Sequence, residues 1–175
     1  MATYKIDPTH SDVTFKVKHL MISTVTGAFT KFDATLESNA ADFSDAKITF
    51  EADVNSISTN NEQRDGHLKS GDFFNAEEFP KMSFVSTGIT KKSDNEFVLN
   101  GNLTIRDNTH PISLTTSYAG TATDPYGQTK AGFELSGTLS RKAFGLTWSA
   151  TTEAGNIVVS DDVRLQMDIQ MIKAA

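Results

Sequence analysis

The sequence predicts an all-β, antiparallel fold. Three observations carry that reading. Apolar and polar residues alternate with period two in stretch after stretch. Polar turn clusters separate these stretches with no long helical pattern between them. Phenylalanine numbers 12, and threonine outnumbers leucine roughly two to one, a balance that suits a pleated, half-buried surface. Strands that follow one another through short turns pair antiparallel, since a parallel neighbour needs a crossover of about a dozen residues.

The elements follow in chain order. Val13, Phe15 and Val17 alternate with Thr14, Lys16 and Lys18. Phe32, Ala34 and Leu36 flank Asp33 and Thr35, and Ile48, Phe50, Ala52 and Val54 flank Thr49, Glu51 and Asp53. Later come Phe97 to Ile105 and Phe133 to Leu139, each on one parity, and then Val163, Leu165, Met167, Ile169 and Met171. Each reads as a strand with one apolar and one wet face. Such a face has to meet another sheet or the far wall of a barrel. Ser93-Asp94-Asn95, Asp107-Asn108, Asp124-Pro125-Tyr126-Gly127 and Ser160-Asp161-Asp162 are the breakers, their side chains suited to local hydrogen bonds. One segment departs from the rhythm. Around residues 60–79 a short helical insertion is expected, with Asn60 as cap and Gln63 at its third position. Gly71 ends it, and Pro80 stops a second turn over Asn75 to Phe79. Phe73, Phe74 and Phe79 are too apolar for a free loop and should lie against the sheet or over its opening.

A chain of 175 residues reads as a single domain, 1–175. No apolar run is long enough for a membrane helix. Cysteine is absent, which removes disulfides, thiolate metal sites and thiol nucleophiles. The net charge of −6 and pI near 5.1 argue against nucleic-acid partners and against charge-driven docking on anionic lipid. The N-terminal residues carry no apolar signal core, so a cytoplasmic location is expected, with the periplasm as the alternative for a chain whose export signal has been removed.

No catalytic constellation stands out. His10, His19, His67 and His110 have no metal-ligand spacing, and structural roles are expected of them. There is no nucleophile elbow, no phosphate loop or dinucleotide fingerprint, and Asp124-Pro125-Tyr126-Gly127 lacks the spaced oxygens of a calcium loop. Asn102-Leu103-Thr104 matches a glycosylation sequon but falls in a strand. No catalytic residue, metal or cofactor is expected. The densest ionisable cluster is Arg64-Asp65-Gly66-His67. Arg64 and His67 share a helical face. Either Arg64 anchors the helix through Asp65 or another acid, or the two present donors to a phosphate or carbonyl head group. Arg141 is a second such donor, or else pairs with a carboxylate at a barrel rim.

The aromatic inventory is the remaining signal. Phe15, Phe29, Phe32, Phe50, Phe73, Phe74, Phe84, Phe133, Phe144 and Trp148 exceed what alternation requires. A filled core accounts for any one of them. Taken together, and with Val17, Leu103 and Leu135 on inward faces, they suggest the wall of a cavity. A barrel of about eight strands is just wide enough to be filled or to hold one ligand. Small inward residues, Ala52, Gly101 and Gly137, would leave room.

Specific motifs run nearly end to end. They are Ile6-Asp7-Pro8 with His10-Ser11, Phe15-x-Val17-x-His19, Gly27-x-Phe29, Ser56-Ile57-x-Thr59, and Arg64-Asp65-x-His67-Leu68 with Asp72-Phe73-Phe74. Phe79-Pro80, Phe84-x-Ser86-Thr87, Gly101-x-Leu103-Thr104-Ile105 and Arg141-x-x-Phe144-Gly145-Leu146 complete the set. On these residues the chain resembles the YceI-like family of lipid-binding proteins. It departs from the family at Arg106 to Pro111, where Asp107 and His110 replace the usual glycine turn and basic residue. The resemblance implies an antiparallel lipocalin-like barrel of about eight strands with a helical insertion. It also implies an elongated cavity for a long amphiphile such as a polyisoprenoid, prenyl phosphate or isoprenoid quinone. Family members are commonly exported and often homodimeric. The expected function is non-enzymatic binding, storage or transport of such a lipid, with transient membrane contact. Arg64, His67 and Arg141 are expected at the cavity mouth. The alternatives are an enzyme using His67 and Asp65 as acid and base on a sequestered lipophile, or a filled barrel serving as a stress-related interaction protein.

Overall fold

In the computed structural model, residues 2–20, 22–147 and 159–174 are described. The strands are β1 (Ala2–Ile6), β2 (Asp12–His19), β3 (Ser23–Phe29), β4 (Phe32–Ser38), β5 (Lys47–Asp53), β6 (Ile57–Ser58), β7 (Lys81–Lys91), β8 (Glu96–Ile105), β9 (Asn108–Thr123), β10 (Thr129–Ser140) and β11 (Val159–Lys173), with one helix, α1 (Glu62–Lys69). Neighbours run antiparallel throughout, in the order β1-β4-β5-β7-β8-β9-β10-β11, and β1 pairs back onto β11 to close an eight-stranded ring. Closure removes the exposed edges that an open sheet would offer to other chains.

The alternating stretches form the expected strands β2, β4, β5, β8, β10 and β11, except that Val54 falls in a short helical turn just after β5. β1, β3, β7 and β9 carry weaker alternation and are added by pairing. β9 is 16 residues long with Pro111 inside it. The helix is shorter than the 60–79 insertion. Asn61, not Asn60, caps it, accepting from the Arg64 backbone N–H at 3.0 Å. Asn60 instead takes a left-handed φ of 61°, which aims the chain into the cap. Ser70 ends the helix one residue before Gly71. Over Asn75 to Phe79 there is a single turn, the Phe79 N–H donating to the Asn75 carbonyl at 2.9 Å.

One long edge of the wall is broken in two. β1 and β2 lie along the same edge of β11, Ile6 opposite Met171 and Val13 opposite Met167. Between them Asp7 caps the short turn Pro8–His10, accepting from the Thr9 N–H at 3.1 Å. Proline suits this position because the first N–H of a helical turn has no partner anyway. The Ser11 hydroxyl accepts from the Gln170 N–H at 3.0 Å and carries the ladder across the break. Above the ring, β2, β3 and β6 extend from β11. Residues 59–80 then cover the wall between β6 and β7. The β8–β9 turn pins this cover. Arg106, at φ 56°, donates from Nη1 to the carbonyls of Phe73 at 3.3 Å and Gly145 at 3.2 Å. Its guanidinium lies 5.9 Å from the Phe79 ring centre. Phe73 and Phe74 are buried in the core as expected, while Phe79 is half-buried beneath this arginine.

Candidate functional site: an apolar chamber with one polar end

A cavity of about 410 Å³ runs along the barrel interior, within the rough 300–1,000 Å³ range of small-molecule sites. Its lining reaches from Ile6, Phe43 and Met171 at one end to Val17, His19, Val25 and Val159 at the other. Phe15, Val17, Phe29, Phe50, Phe73, Phe74, Phe84, Leu103, Phe133 and Leu135 all line it, as do Arg64, His67 and Arg141. Two expected residues do not. Phe32 stands at the start of β4 and stacks on Phe50 at 6.4 Å, so that Phe50 is the ring the lumen meets. Phe144 is 1% exposed but lies in the turn Lys142–Phe144, edge-on to His110 at 5.2 Å, where it packs that turn onto β9. Trp148 lies outside the described residues.

The inward glycines do not leave gaps. A Cβ on Gly27 would meet the Phe15 ring from the paired strand, and one on Gly101 would meet the Phe84 ring and the Val85 carbonyl. At Gly137 it would meet Leu114 at 2.8 Å. Each missing side chain therefore lets a neighbour's large one lie along the wall. Room in the lumen comes from Phe15 and Phe84 lying flat over glycine, an indirect route that composition alone did not disclose.

One end is sealed. Phe43, at φ 63° in the loop after β4, makes edge contacts with Tyr4 at 5.3 Å, Tyr118 at 5.4 Å and Phe133 at 5.3 Å. Edge-to-face packing of this kind adds to the area each ring buries. Asp45 fastens the loop by accepting from the Ser38 hydroxyl at 2.5 Å and from the Asn39 and Ala40 N–H groups. These bonds, the Ser38 hydroxyl first, hold the Asp45 carboxyl below its usual range. Nothing in the sequence pattern singled out Phe43. A lone aromatic between acids in a polar loop is the trace it leaves.

The other end gathers polar groups, and most are committed. Arg141 is 3% exposed and donates to the carbonyls of Ser160 at 2.9 Å, Leu146 at 2.7 Å and Val159 at 3.1 Å. Burial pushes its pKa down from the ordinary value, with nearby Asp161 opposing. Asp161 itself accepts from the Ser140 hydroxyl at 2.6 Å, which lowers its pKa. Arg141 thus ties the end of β10 to the start of β11 through these carbonyls, with the Asp161 charge nearby. Arg64 is exposed and bonds Thr59 twice, Nε to the hydroxyl at 2.7 Å and Nη2 to the carbonyl at 2.8 Å. Asp65 accepts from the same Thr59, N–H at 2.8 Å and hydroxyl at 2.6 Å. His67 Nε2 lies 2.8 Å from the Asp72 carboxylate, its ring edge-on to Phe73. The acid–base pair considered from sequence, His67 with Asp65, is not formed: Asp65 holds Thr59, and His67 meets Asp72 instead.

With this geometry in view, the comparisons fall in line. The YceI-like domain matches residues 4–171. A UPF0312 protein of Staphylococcus epidermidis is 37% identical over 167 residues, 95% of each chain. The crystal structure of the Campylobacter jejuni YCEI protein superposes with a TM-score of 0.77 at 30% identity, covering 90% of each chain. A polyisoprenoid binding domain from Saccharophagus degradans shares the fold, with a TM-score of 0.70 at 13% identity over 98% of each chain.

Proposed function

Because the chain belongs to the YceI-like family, we propose that it is a non-enzymatic carrier or store for a long amphiphilic lipid of the polyisoprenoid class, a prenyl phosphate or isoprenoid quinone. The observation that carries this reading is the continuous apolar chamber with polar groups gathered at one end. The likeness of fold to a polyisoprenoid binding domain supports it. A filled barrel would lack such a chamber, so the interaction-protein alternative has no support in the geometry.

The energetics suit exchange. Each buried CH₂ is worth about 0.8 kcal/mol relative to water, so a five-carbon isoprene unit gives roughly 3–4 kcal/mol. Ordering a flexible tail offsets part of that. In a bilayer the tail is already dry, so transfer from membrane to barrel is close to balanced. Head-group contacts and barrel shape then decide occupancy. Arg64 lines the chamber, is exposed, and leaves N–H groups beyond its two bonds to Thr59.

Organic extraction of the purified protein followed by mass spectrometry tests the reading directly. A co-purifying isoprenoid is the expected result, and repeatedly empty protein of native fold overturns it. Phe50→Asp places an unpaired carboxylate in the wall and should abolish loading while far-ultraviolet circular dichroism stays that of the parent. Arg64→Ala should weaken phosphate-headed ligands more than neutral ones; equal loss for both would assign Arg64 to helix anchoring alone.

A further inference from the structure

The outer face of the wall beside the polar end carries three cations. Lys16 points outward on β2, Lys18 two residues on is exposed and also borders the chamber, and Arg164 on β11 stands directly opposite Lys16 in the ladder. All three are exposed. Lys18 Nζ donates to the Thr24 hydroxyl at 3.1 Å. Among the described residues, none of the three makes an ion pair. Like charges directly opposite on one face of a sheet destabilise it. A chain with 22 acidic and 16 basic residues has acids enough to avoid the pairing, yet Asp162 is the one acid exposed on β11 above Arg164.

A second observation lies at the same end. Val17, Lys18, His19 and Val25 line the chamber there, and the β2–β3 connection continues past them. It is closed by the Ile22 N–H donating to the His19 carbonyl at 3.2 Å. Ile22 is 83% exposed, one of the large apolar side chains the described surface leaves in water. A projecting apolar tip backed by cations matches a lipid surface with negative head groups. An acidic protein patch would match the cations but gives no reason for Ile22. The strand rise of about 3.3 Å per residue puts Lys16 roughly 10 Å from the turn, about one Debye length. With Ile22 sunk the roughly 5–10 Å typical of interfacial side chains, all three cations reach the head-group layer.

We propose that Ile22, Lys16, Lys18 and Arg164 form a docking foot that sets the polar end of the barrel on an anionic bilayer. This deepens the lipid-carrier reading and rests on it, since a lipid leaving the membrane then meets the chamber without crossing water. It also revises the expectation drawn from net charge: −6 over the whole chain says nothing about a local patch of opposite sign.

Sedimentation with vesicles tests the foot. With equal parts phosphatidylglycerol and phosphatidylcholine the protein should pellet, and the pelleted fraction should fall as salt rises. With phosphatidylcholine alone it should stay in solution. Lys16→Gln with Arg164→Gln should weaken partition roughly fivefold per lost cation, and Ile22→Asp by about tenfold or more. None of these three residues lines the chamber, so uptake of a polyprenol presented in detergent micelles should match the parent. Failure to pellet with either vesicle, or equal pelleting with both, overturns the foot. Parent protein that loads from micelles without pelleting leaves the carrier reading intact and removes the foot. Parent that pellets but never loads does the reverse. Variants that lose micelle loading as well, with unchanged melting, assign these residues to the chamber and overturn the docking role.

Discussion

The two ends of the barrel are built on opposite terms. At the sealed end, Phe43, Tyr4, Tyr118 and Phe133 meet edge to face, and the groups that hold their loop are fully bonded. At the polar end the lining includes Arg64, His67 and Arg141, whose hydrogen bonds reach backbone carbonyls, Thr59 and Asp72. The difference teaches where stability and access reside. A floor of interlocked rings contributes through apolar burial and tolerates no vacancy. The polar end is held instead by arginine–carbonyl bonds.

Four changes would break or sharpen that contrast. Phe43→Ala removes the centre of the floor and should lower unfolding free energy by about 3–5 kcal/mol, read from urea denaturation. A loss below about 1 kcal/mol would mean the floor is not where the fold is anchored. Arg141→Ala strands three carbonyls and should cost roughly 1–3 kcal/mol; unchanged stability with lost lipid loading would make Arg141 a ligand donor instead. Next come the two wall glycines. Gly101→Ala drives its Cβ to 2.6 Å from the backbone carbonyl of Val85, an overpacking worth about 1–3 kcal/mol. Gly27→Ala meets only the Phe15 ring, which can swing into the lumen. Its melting temperature should barely move while lipid capacity falls, and the reverse outcome would place the free space elsewhere.

The smallest effect concerns acid. Asp7, hydrogen-bonded first of all by the Thr9 hydroxyl and also by His10, has its pKa lowered from 3.8 to about 2. A depressed carboxyl stabilises the fold above its unfolded value. That contribution should fade as pH falls from near 3.8 towards 2. Asp7→Asn should flatten this part of the pH–stability curve; an unaltered slope would assign acid sensitivity to other carboxylates.

Much of the wall was legible because an inward residue every second position is a strong signal where one face is buried. Phe97 to Ile105 and Val163 to Met171 show it plainly. β9 was not legible, because its inward positions include Thr116 beside Ile112 and Leu114, and threonine serves either face. Parity placed Phe32 in the lumen, but parity cannot see that Phe32 stacks on Phe50, the ring that lines the chamber. Arg64 and Arg141 donate to backbone carbonyls and a threonine, bonds that no spacing of charged residues announces. Phe43 and Arg106 act through left-handed backbone, a conformation the residue type itself does not advertise.

The aromatic floor has a consequence for whatever occupies the tube. A passage open at both ends is indifferent to how long its guest is, since any excess emerges on the far side. A blind one works as a ruler read from a single side: a tail that reaches Phe43 must stop, fold back, or leave its remainder outside with the head.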